Sequence, residues 1–152
     1  MKTLVLGLGN PILSDDGVGI RVAQELRSNL EYEGTAVMEA SVAGLDLLDL
    51  LTSYDKAIII DAIQTREGRP GQVYRLKVED FMATQHASLL HDVNFATALE
   101  LGRRLGIPLP KEIVVFAVEV EDVTTFNERC TPKVAQIVPV VVDMVMRELN
   151  VE

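Results

Sequence analysis

The feature that most constrains the fold is a continuous apolar run, residues 57–60, which Asp61 closes in the stretch AIIIDAI. A run without polar alternation is typical of a strand that is covered on both faces of its sheet. We therefore predict a fully buried strand here, with Asp61 at its end. The alternative is that Asp61 serves only to cap a following turn.

The rest of the chain alternates between strand and helix patterns. Further strands are predicted over residues 4–6, 35–39, 72–76 and 113–118. Apolar residues at helical spacing predict helices over residues 16–29, from Leu45 to near Ser53, over 95–105 and over 134–149. Pro139 interrupts the last pattern and is expected to kink that helix or to mark its true start.

Strands that alternate with helices predict an α/β fold with a mainly parallel sheet of about five strands and helices on both faces. This is a three-layer α/β/α sandwich. The 152 residues suit one domain, which we expect to span residues 1–152. The sequence contains no repeat, linker or low-complexity segment.

The composition argues against two classes of binding partner. The formal charge of −9 argues against nucleic acid and against an anionic membrane, because both are bound by Lys/Arg surfaces. Cys130 is the single cysteine, so an intramolecular disulfide is excluded. No apolar stretch is long enough to span a bilayer. We expect a cytoplasmic protein, and a monomer because nothing in the sequence marks an interface.

A glycine loop carries two negative charges where glycine loops usually bind an anion. In LVLGLGNPILSDDG, Gly7 and Gly9 match the first two glycines of a dinucleotide fingerprint, but Ile12 stands at the third. Asp15 and Asp16 would repel a pyrophosphate at the start of the following helix. No Walker lysine follows the loop. Nucleotide binding is therefore disfavoured.

The paired aspartates suit a cation better than an anion. Ser14 or Asp15 can cap the first helical turn, which leaves the other aspartate to face a cleft. A carboxylate stabilised by a helix dipole is a poor general acid and a good metal ligand. Since ligands of parallel sheets bind beyond the carboxyl ends of the strands, we expect Asp16, or Asp15, and Asp61 to face one cleft.

Histidine could complete a metal site. His91 lies at the start of the third predicted helix and His86 lies five residues earlier. Two carboxylates and one imidazole suit Zn, Ni, Co or Mn and leave coordination positions open. A purely structural histidine is the alternative.

Other potentially reactive residues lack the sequence context of catalytic or metal-binding groups. Cys130 has no histidine near it in sequence, and Ser14 lacks a G-x-S-x-G elbow. Neither is predicted to be a nucleophile. An acidic group follows the strand at 113–118 without the spacing of a calcium loop, and we expect it to be a solvated loop that could edge the same cleft. Its members are Glu119, Glu121, Asp122 and Glu128.

The ordered set of motifs resembles the hydrogenase maturation endopeptidases. It comprises LVLGLGN, SDDGVG, Ala43-Gly44, IIIDAI, SLLHDVN and Thr131-Pro132 before the last helix, and it covers nearly the whole chain. The segment VEVEDVTTFNER departs from the pattern that we expect of the family after the last strand.

The resemblance implies an endopeptidase that removes the C-terminal extension of a nickel–iron hydrogenase large-subunit precursor after nickel insertion. It implies Asp16, Asp61 and His91 as metal ligands, with Asp16 and Asp61 as the catalytic pair. Nickel is expected to arrive with the substrate, and Zn or Cd could occupy the site in vitro. The substrate loops would include Gly7, Gly9, Asn10, Asp15, Ala43 and Gly44.

Two other functions stay open at this point. One is a non-catalytic binding module or chaperone for a nickel protein. The other is a peptidyl-tRNA hydrolase, because GLGNP also opens that family, although Ser-Asp-Asp-Gly stands here in place of its Thr-Arg-His-Asn. We also leave open whether the peptidase is of the aspartic or the metal-dependent type. In either case we favour direct attack by water.

Overall fold

The computed structural model describes residues 1–29, 34–41, 45–77, 88–89 and 95–150. Within these residues there are six strands: β1 (Thr3–Leu8), β2 (Thr35–Ala40), β3 (Lys56–Gln64), β4 (Val73–Lys77), β5 (Ser88–Leu89) and β6 (Glu112–Glu119). The helices are α1 (Val18–Asn29), α2 (Leu45–Leu51), α3 (Phe95–Arg104) and α4 (Pro132–Asn150), and a 3₁₀ turn, Ser14–Gly17, precedes α1. Four residues singled out from the sequence lie outside the described residues, namely Ala43, Gly44, His86 and His91.

The strands form one sheet in the order β2-β1-β3-β6-β4, and β5 pairs with β3. The pairs among β1, β2, β3 and β6 are parallel, whereas β4 and β5 are antiparallel to their neighbours. This confirms the predicted α/β fold with a mostly parallel sheet of about five strands. The two-residue β5 is an addition that the sequence did not indicate.

A separate apolar core covers each face of the sheet. One core joins alternate residues of β1 and β3, such as Leu6 and Ile59, to α2 and α3. The other joins the intervening residues, such as Val5 and Ile58, to α1 and α4. Because both faces of β3 are buried, its sequence has no polar alternation. The three-layer arrangement predicted from the sequence is therefore confirmed.

Two glycines allow α1 to lie directly on the sheet. A Cβ atom on Gly7 would lie 2.2 Å from the carbonyl oxygen of Gly19, and one on Gly19 would lie 2.3 Å from that of Ile60. Side chains at these positions would push the helix away. The glycines thus bring the beginning of α1 against the carboxyl ends of β1 and β3.

Two boundary predictions were wrong. β3 continues past Asp61 to Gln64, because β6 still pairs with it as far as Ile63. α4 begins at Pro132 and Pro139 lies inside it, so of the two alternatives for Pro139 the helix start is wrong, while the kink stays a prediction. Proline is favoured at the first position of a helix, and burial of Val134 and Val138 secures the turns between the two prolines.

The described residues include no helix that is both long and apolar enough to cross a membrane.

Candidate active site

Asp16 is held at the carboxyl edge of the sheet by its own loop. It lies in the 3₁₀ turn, which contacts β3, and is 5% exposed. The backbone N–H of Asn10 donates to its Oδ2 at 3.1 Å. Gly9 makes this possible, because it has φ +146° and a Cβ there would lie 2.1 Å from the Asp16 carbonyl oxygen. The glycine loop therefore folds back on the turn and fixes one carboxylate.

Asp61 lies on β3 at the same edge. Parallel pairing of β1 with β3 ends at Gly7 and Ile60, and Asp61 is the next residue. Asp61 is fully buried, and its Oδ1 accepts the N–H of Ala62 at 2.8 Å. Since Asp61 lies within the strand, it does not cap a following turn. The structure thus brings Asp16 and Asp61 to the carboxyl ends of neighbouring strands, where parallel sheets bind ligands.

Asp15 serves a different purpose from its neighbour. It is fully buried, and its Oδ2 accepts the N–H groups of Glu121 and Asp122, each at 3.0 Å. Thr131 donates its N–H to Oδ1 at 2.6 Å and its hydroxyl to Oδ2 at 2.8 Å. Asp15 is therefore a brace between the glycine loop and the segment 121–131.

The predicted helix cap is wrong. Leu13 occupies the cap position of the 3₁₀ turn without a side-chain hydrogen bond, and Ser14 and Asp15 follow within the turn. Burial explains the difference, since both residues are buried and the Asp15 carboxylate is held by the 121–131 segment instead of lying at a free helix end. Nothing in the local sequence indicated this distant partner.

Asn10 shapes the loop beside Asp16. Its Oδ1 accepts the N–H of Ile12 at 3.2 Å, which forms a side-chain turn. The hydroxyl of Ser41, which follows β2, donates to the carbonyl oxygen of Gly9 at 2.7 Å. The Ser41 bond attaches the loop to the end of β2, and the Asn10 bond stiffens the loop itself. Together they hold in place the backbone that contacts Asp16.

Glu119 corrects the prediction of a wholly solvated acidic loop. It is 2% exposed at the end of β6. Its carboxylate accepts the N–H of Thr65 at 2.9 Å, the Thr65 hydroxyl at 2.6 Å and the Tyr74 hydroxyl at 3.2 Å. Burial, together with the Glu119 charge, raises the pKa of Tyr74. Glu119 thus fixes the turn after β3.

The remaining acidic residues follow the prediction more closely. Glu121 and Glu128 are exposed. The Asp122 carboxylate accepts the N–H groups of Thr124 and Thr125, each at 3.0 Å, and hydrogen bonds from these residues lower its pKa. These side chains shape an exposed loop.

Cys130 does not have the properties of a nucleophile. Burial, and then the charge of Asp15, raise the pKa of its thiol to about 11. The thiol is therefore protonated at neutral pH, whereas attack requires the thiolate. Its Sγ lies 3.9 Å from the carbonyl oxygen of Ser14, within a packed environment. The predicted idle thiol agrees with this geometry.

The part of the chain that the structure describes contains no group of three His, Cys, Asp or Glu side chains placed to hold a metal ion. It does contain two of the three ligands predicted from the sequence, Asp16 and Asp61, while His91 lies outside it. The arrangement provides oxygen donors at a fixed edge, and such donors suit divalent cations.

A comparison with protein families decides the classification. The model of the hydrogenase maturation proteases (HycI) matches residues 20–148. The chain belongs to the hydrogenase maturation protease family. The predicted family and the predicted enzyme class, an endopeptidase, are thereby confirmed, and the peptidyl-tRNA hydrolase interpretation is set aside.

Individual members of the family are similar over most of their length. The hydrogenase 2 maturation protease of Escherichia coli K12 is 29% identical over 120 residues, which is 78% of this chain and 73% of that protein. The structure of the hydrogenase maturating endopeptidase HybD from E. coli superposes with a TM-score of 0.82 at 26% identity, covering 99% of this chain and 93% of that one.

A more distant structure shows the same fold. The NiFe hydrogenase maturation protease HybD from Thermococcus kodakarensis has a TM-score of 0.72 at 22% identity, over 97% of this chain and 98% of that one. The fold is therefore retained across members whose sequences differ widely from this one.

Proposed function

We propose that this protease removes the C-terminal extension from the large-subunit precursor of a nickel–iron hydrogenase once nickel has been inserted. Membership of the family supports the class of reaction. The observation that carries the proposal is the division between two adjacent aspartates. The Asp15 carboxylate accepts from four donor groups, three backbone N–H groups and the Thr131 hydroxyl, whereas Asp16 is held by its own loop at the edge of the sheet where Asp61 also lies.

The proposed metal-binding set is Asp16, Asp61 and His91. Two carboxylate oxygens and one imidazole nitrogen suit nickel and other divalent ions, and they leave coordination positions open. We propose that nickel is part of the substrate and is held by the precursor, with these side chains completing its coordination. Zn or Cd could occupy the same donors in vitro.

Metal-dependent docking would make cleavage conditional. A precursor that contains nickel gains contacts with Asp16 and Asp61 that an empty precursor lacks. The protease therefore prefers the loaded form by the free energy of those contacts. Cleavage would then follow nickel insertion without a separate signal.

The proposed reaction is hydrolysis by water, with Asp16 and Asp61 as the catalytic groups. Water adds to the carbonyl carbon, the C–N bond breaks, and the products are a new carboxylate and a free amine. A fixed carboxylate can orient the water and accept its proton. Both an aspartic-type route and a metal-assisted route are compatible with these donors.

The loop around Asp16 would form one wall of the substrate groove. Gly9 and Asn10 contact Asp16 directly. Gly7 allows α1 to pack closely beside this loop, and Asp15 links the loop to the segment after β6. Ala43 and Gly44, which lie outside the described residues, are proposed to belong to the substrate loops as well. We propose that the chain acts as a cytoplasmic monomer on this protein substrate, without nucleic acid or membrane.

The test is the intact mass of the large-subunit precursor, nickel-loaded and nickel-free, after incubation with the protease. We expect a C-terminal peptide to be released only from the loaded form. A precursor that binds in a pull-down but keeps its full mass would instead establish a binding module or chaperone, and the catalytic proposal would be wrong.

A further inference from the structure

The glycine loop and the segment after β6 form one continuous surface beside Asp16. Leu13 forms a parallel bridge with Asn127. The N–H of Asn127 donates to the Ile12 carbonyl at 2.9 Å, and the N–H of Ser14 donates to the Asn127 carbonyl at 2.8 Å. These bonds hold residues 12–14 and 127 in a fixed relation, so the side chains that flank them make a preformed surface.

This surface exposes apolar side chains. Phe126 is 81% exposed and Ile12 is 49% exposed. They flank the paired backbone segments, so two large apolar groups face solvent within one small region. Exposed apolar groups that are clustered and rimmed by polar residues are typical of interaction sites.

A pocket with two guanidinium groups adjoins the apolar pair. It has a volume of about 600 Å³ and is lined by Pro11, Ile12, Arg21, Gln24, Asn127, Glu128 and Arg129. Arg21 donates to the Pro11 carbonyl at 3.1 Å and also to the Glu128 carbonyl, so it joins the two walls. Arg129 is exposed. The chain carries a net charge of −9, whereas this pocket is lined by two arginines. The Glu128 side chain offsets part of their positive charge.

We propose that this surface, made by Ile12, Arg21, Phe126 and Arg129 and here named the arginine face, docks the hydrogenase precursor. The inference rests on the proposed function and extends it. The occupant is the peptide segment next to the scissile bond, with an apolar side chain against Phe126 and Ile12 and an acidic side chain at the arginines.

Continuity with the proposed catalytic edge supports this occupant. Asn10 donates to Asp16, and the next residue, Pro11, lines the pocket. A peptide whose scissile bond lies at Asp16 would therefore continue from the carboxylates onto the adjoining arginine face. Charge complementarity favours an acidic group there, because bidentate guanidinium–carboxylate pairing is strong and geometrically specific.

The test compares Phe126→Ala and Arg129→Gln with the native chain. Leu105→Ala and Arg104→Gln are matched controls, since both residues are exposed and lie where α3 ends, at the opposite end of the sheet. Direct binding of the nickel-loaded precursor gives Kd, and cleavage gives KM and kcat. Arg21 is left unchanged because it also joins the two loops.

We expect each variant to raise Kd and KM by about 5–10-fold with kcat unchanged, as removal of a contact used equally in binding and reaction does. Arg129→Lys should recover part of the loss, and Arg129→Gln should weaken the salt dependence of binding. Values equal to those of the two controls would overturn the docking surface. If the native chain binds the precursor without cleaving it, the proposed function fails, and the Kd values still decide whether the arginine face docks it.

Discussion

The two ends of the sheet both bury carboxylates, but they hold them with different partners. At the amino end, Glu148 of α4 accepts Lys56 at 2.9 Å and Arg75 at 2.5 Å. At the carboxyl end, Asp15 and Glu119 are held by backbone N–H and hydroxyl groups. The first end therefore neutralises its buried charge with cations, whereas these two carboxylates at the second end are satisfied by neutral donors.

The electrostatic consequence is visible at each end. Arg75 and Lys56 lower the pKa of Glu148. At the carboxyl end, the charge of Asp15 adds to burial in raising the pKa of Cys130. Arg21 acts against this shift, so the surroundings of Asp15 contain a cation as well, but no cation is among the described donors to the Asp15 carboxylate. The comparison teaches that cations stabilise the buried carboxylate at the amino end, whereas the carboxyl end, where we propose the binding site, uses neutral donors.

The largest expected effect is on catalysis at the carboxyl end. Asp61→Asn should lower kcat/KM for the nickel-loaded precursor by about 10³-fold, because the carboxylate that we propose as a donor for the metal and the water loses its charge. The shape of the side chain is kept, so the melting temperature should change little. Asp143→Asn, an exposed carboxylate on α4, is the control. Equal rates for the two variants would remove Asp61 from the site.

The amino end should respond in stability instead. Glu148→Gln should reduce the free energy of unfolding by about 2–3 kcal/mol, because the buried Lys56 retains, among the described residues, only Glu112 at 3.8 Å and the partly exposed Arg75 loses its anion. Urea unfolding measures this loss. At a temperature where the variant is folded, kcat/KM should equal the native value, and a lower value would show that the two ends are coupled.

Lowering the pH should reduce the free energy of unfolding through the same group, Glu148. The folded-state pKa of Glu148 lies below its unfolded value of about 4.3, so its contribution to stability is present above that value. That contribution is lost as the pH falls through the folded pKa. The unfolding free energy of Glu148→Gln should therefore fall less steeply in acid than that of the native chain. Parallel curves would contradict the ion-pair account.

A similar loss of stability is expected at the brace. Asp15→Ala removes the acceptor for donors on Glu121, Asp122 and Thr131, which should cost about 2–3 kcal/mol. Amide hydrogen exchange at these three residues should accelerate more than exchange in β6. Unchanged exchange would show that the 121–131 segment does not depend on Asp15.

The smallest effect is expected at Cys130. With a pKa of about 11, its thiol should react slowly with iodoacetamide at pH 8, and the rate should rise steeply toward pH 11. Cys130→Ala should leave cleavage unchanged. Loss of cleavage with this variant would revive a thiol mechanism.

The sequence predicted the fold well because the signals for it are local and periodic. The unbroken run in β3 and the helical spacing in α1 each record which faces are buried. The end of β3 was misplaced because Asp61 resembles a strand terminus, while pairing with the distant β6 extends the strand to Gln64. Pro139 was a misleading signal of a helix start for a similar reason. The packing of α4 outweighs the free-energy cost of a proline inside the helix.

The candidate site was harder to predict from the sequence than the fold. The motif indicated a cation-binding pair, yet it could not say which aspartate braces the loop against the distant segment, because the partners of Asp15 lie more than 100 residues away. Glu119 was missed for the same reason. A signal was present, since it directly follows the apolar residues of β6, but its bonds with Thr65 and Tyr74 are tertiary.

The division between the adjacent aspartates is tested most directly by the cleavage rates of Asp16→Asn and Asp15→Asn on one nickel-loaded precursor, measured where both variants are folded. We predict that Asp16→Asn lowers the rate by about 10³-fold and Asp15→Asn by no more than about 10-fold. An Asp16→Asn variant that cleaves as well as Asp15→Asn would contradict the account, because the carboxylate at the edge of the sheet would then have no special part in the reaction.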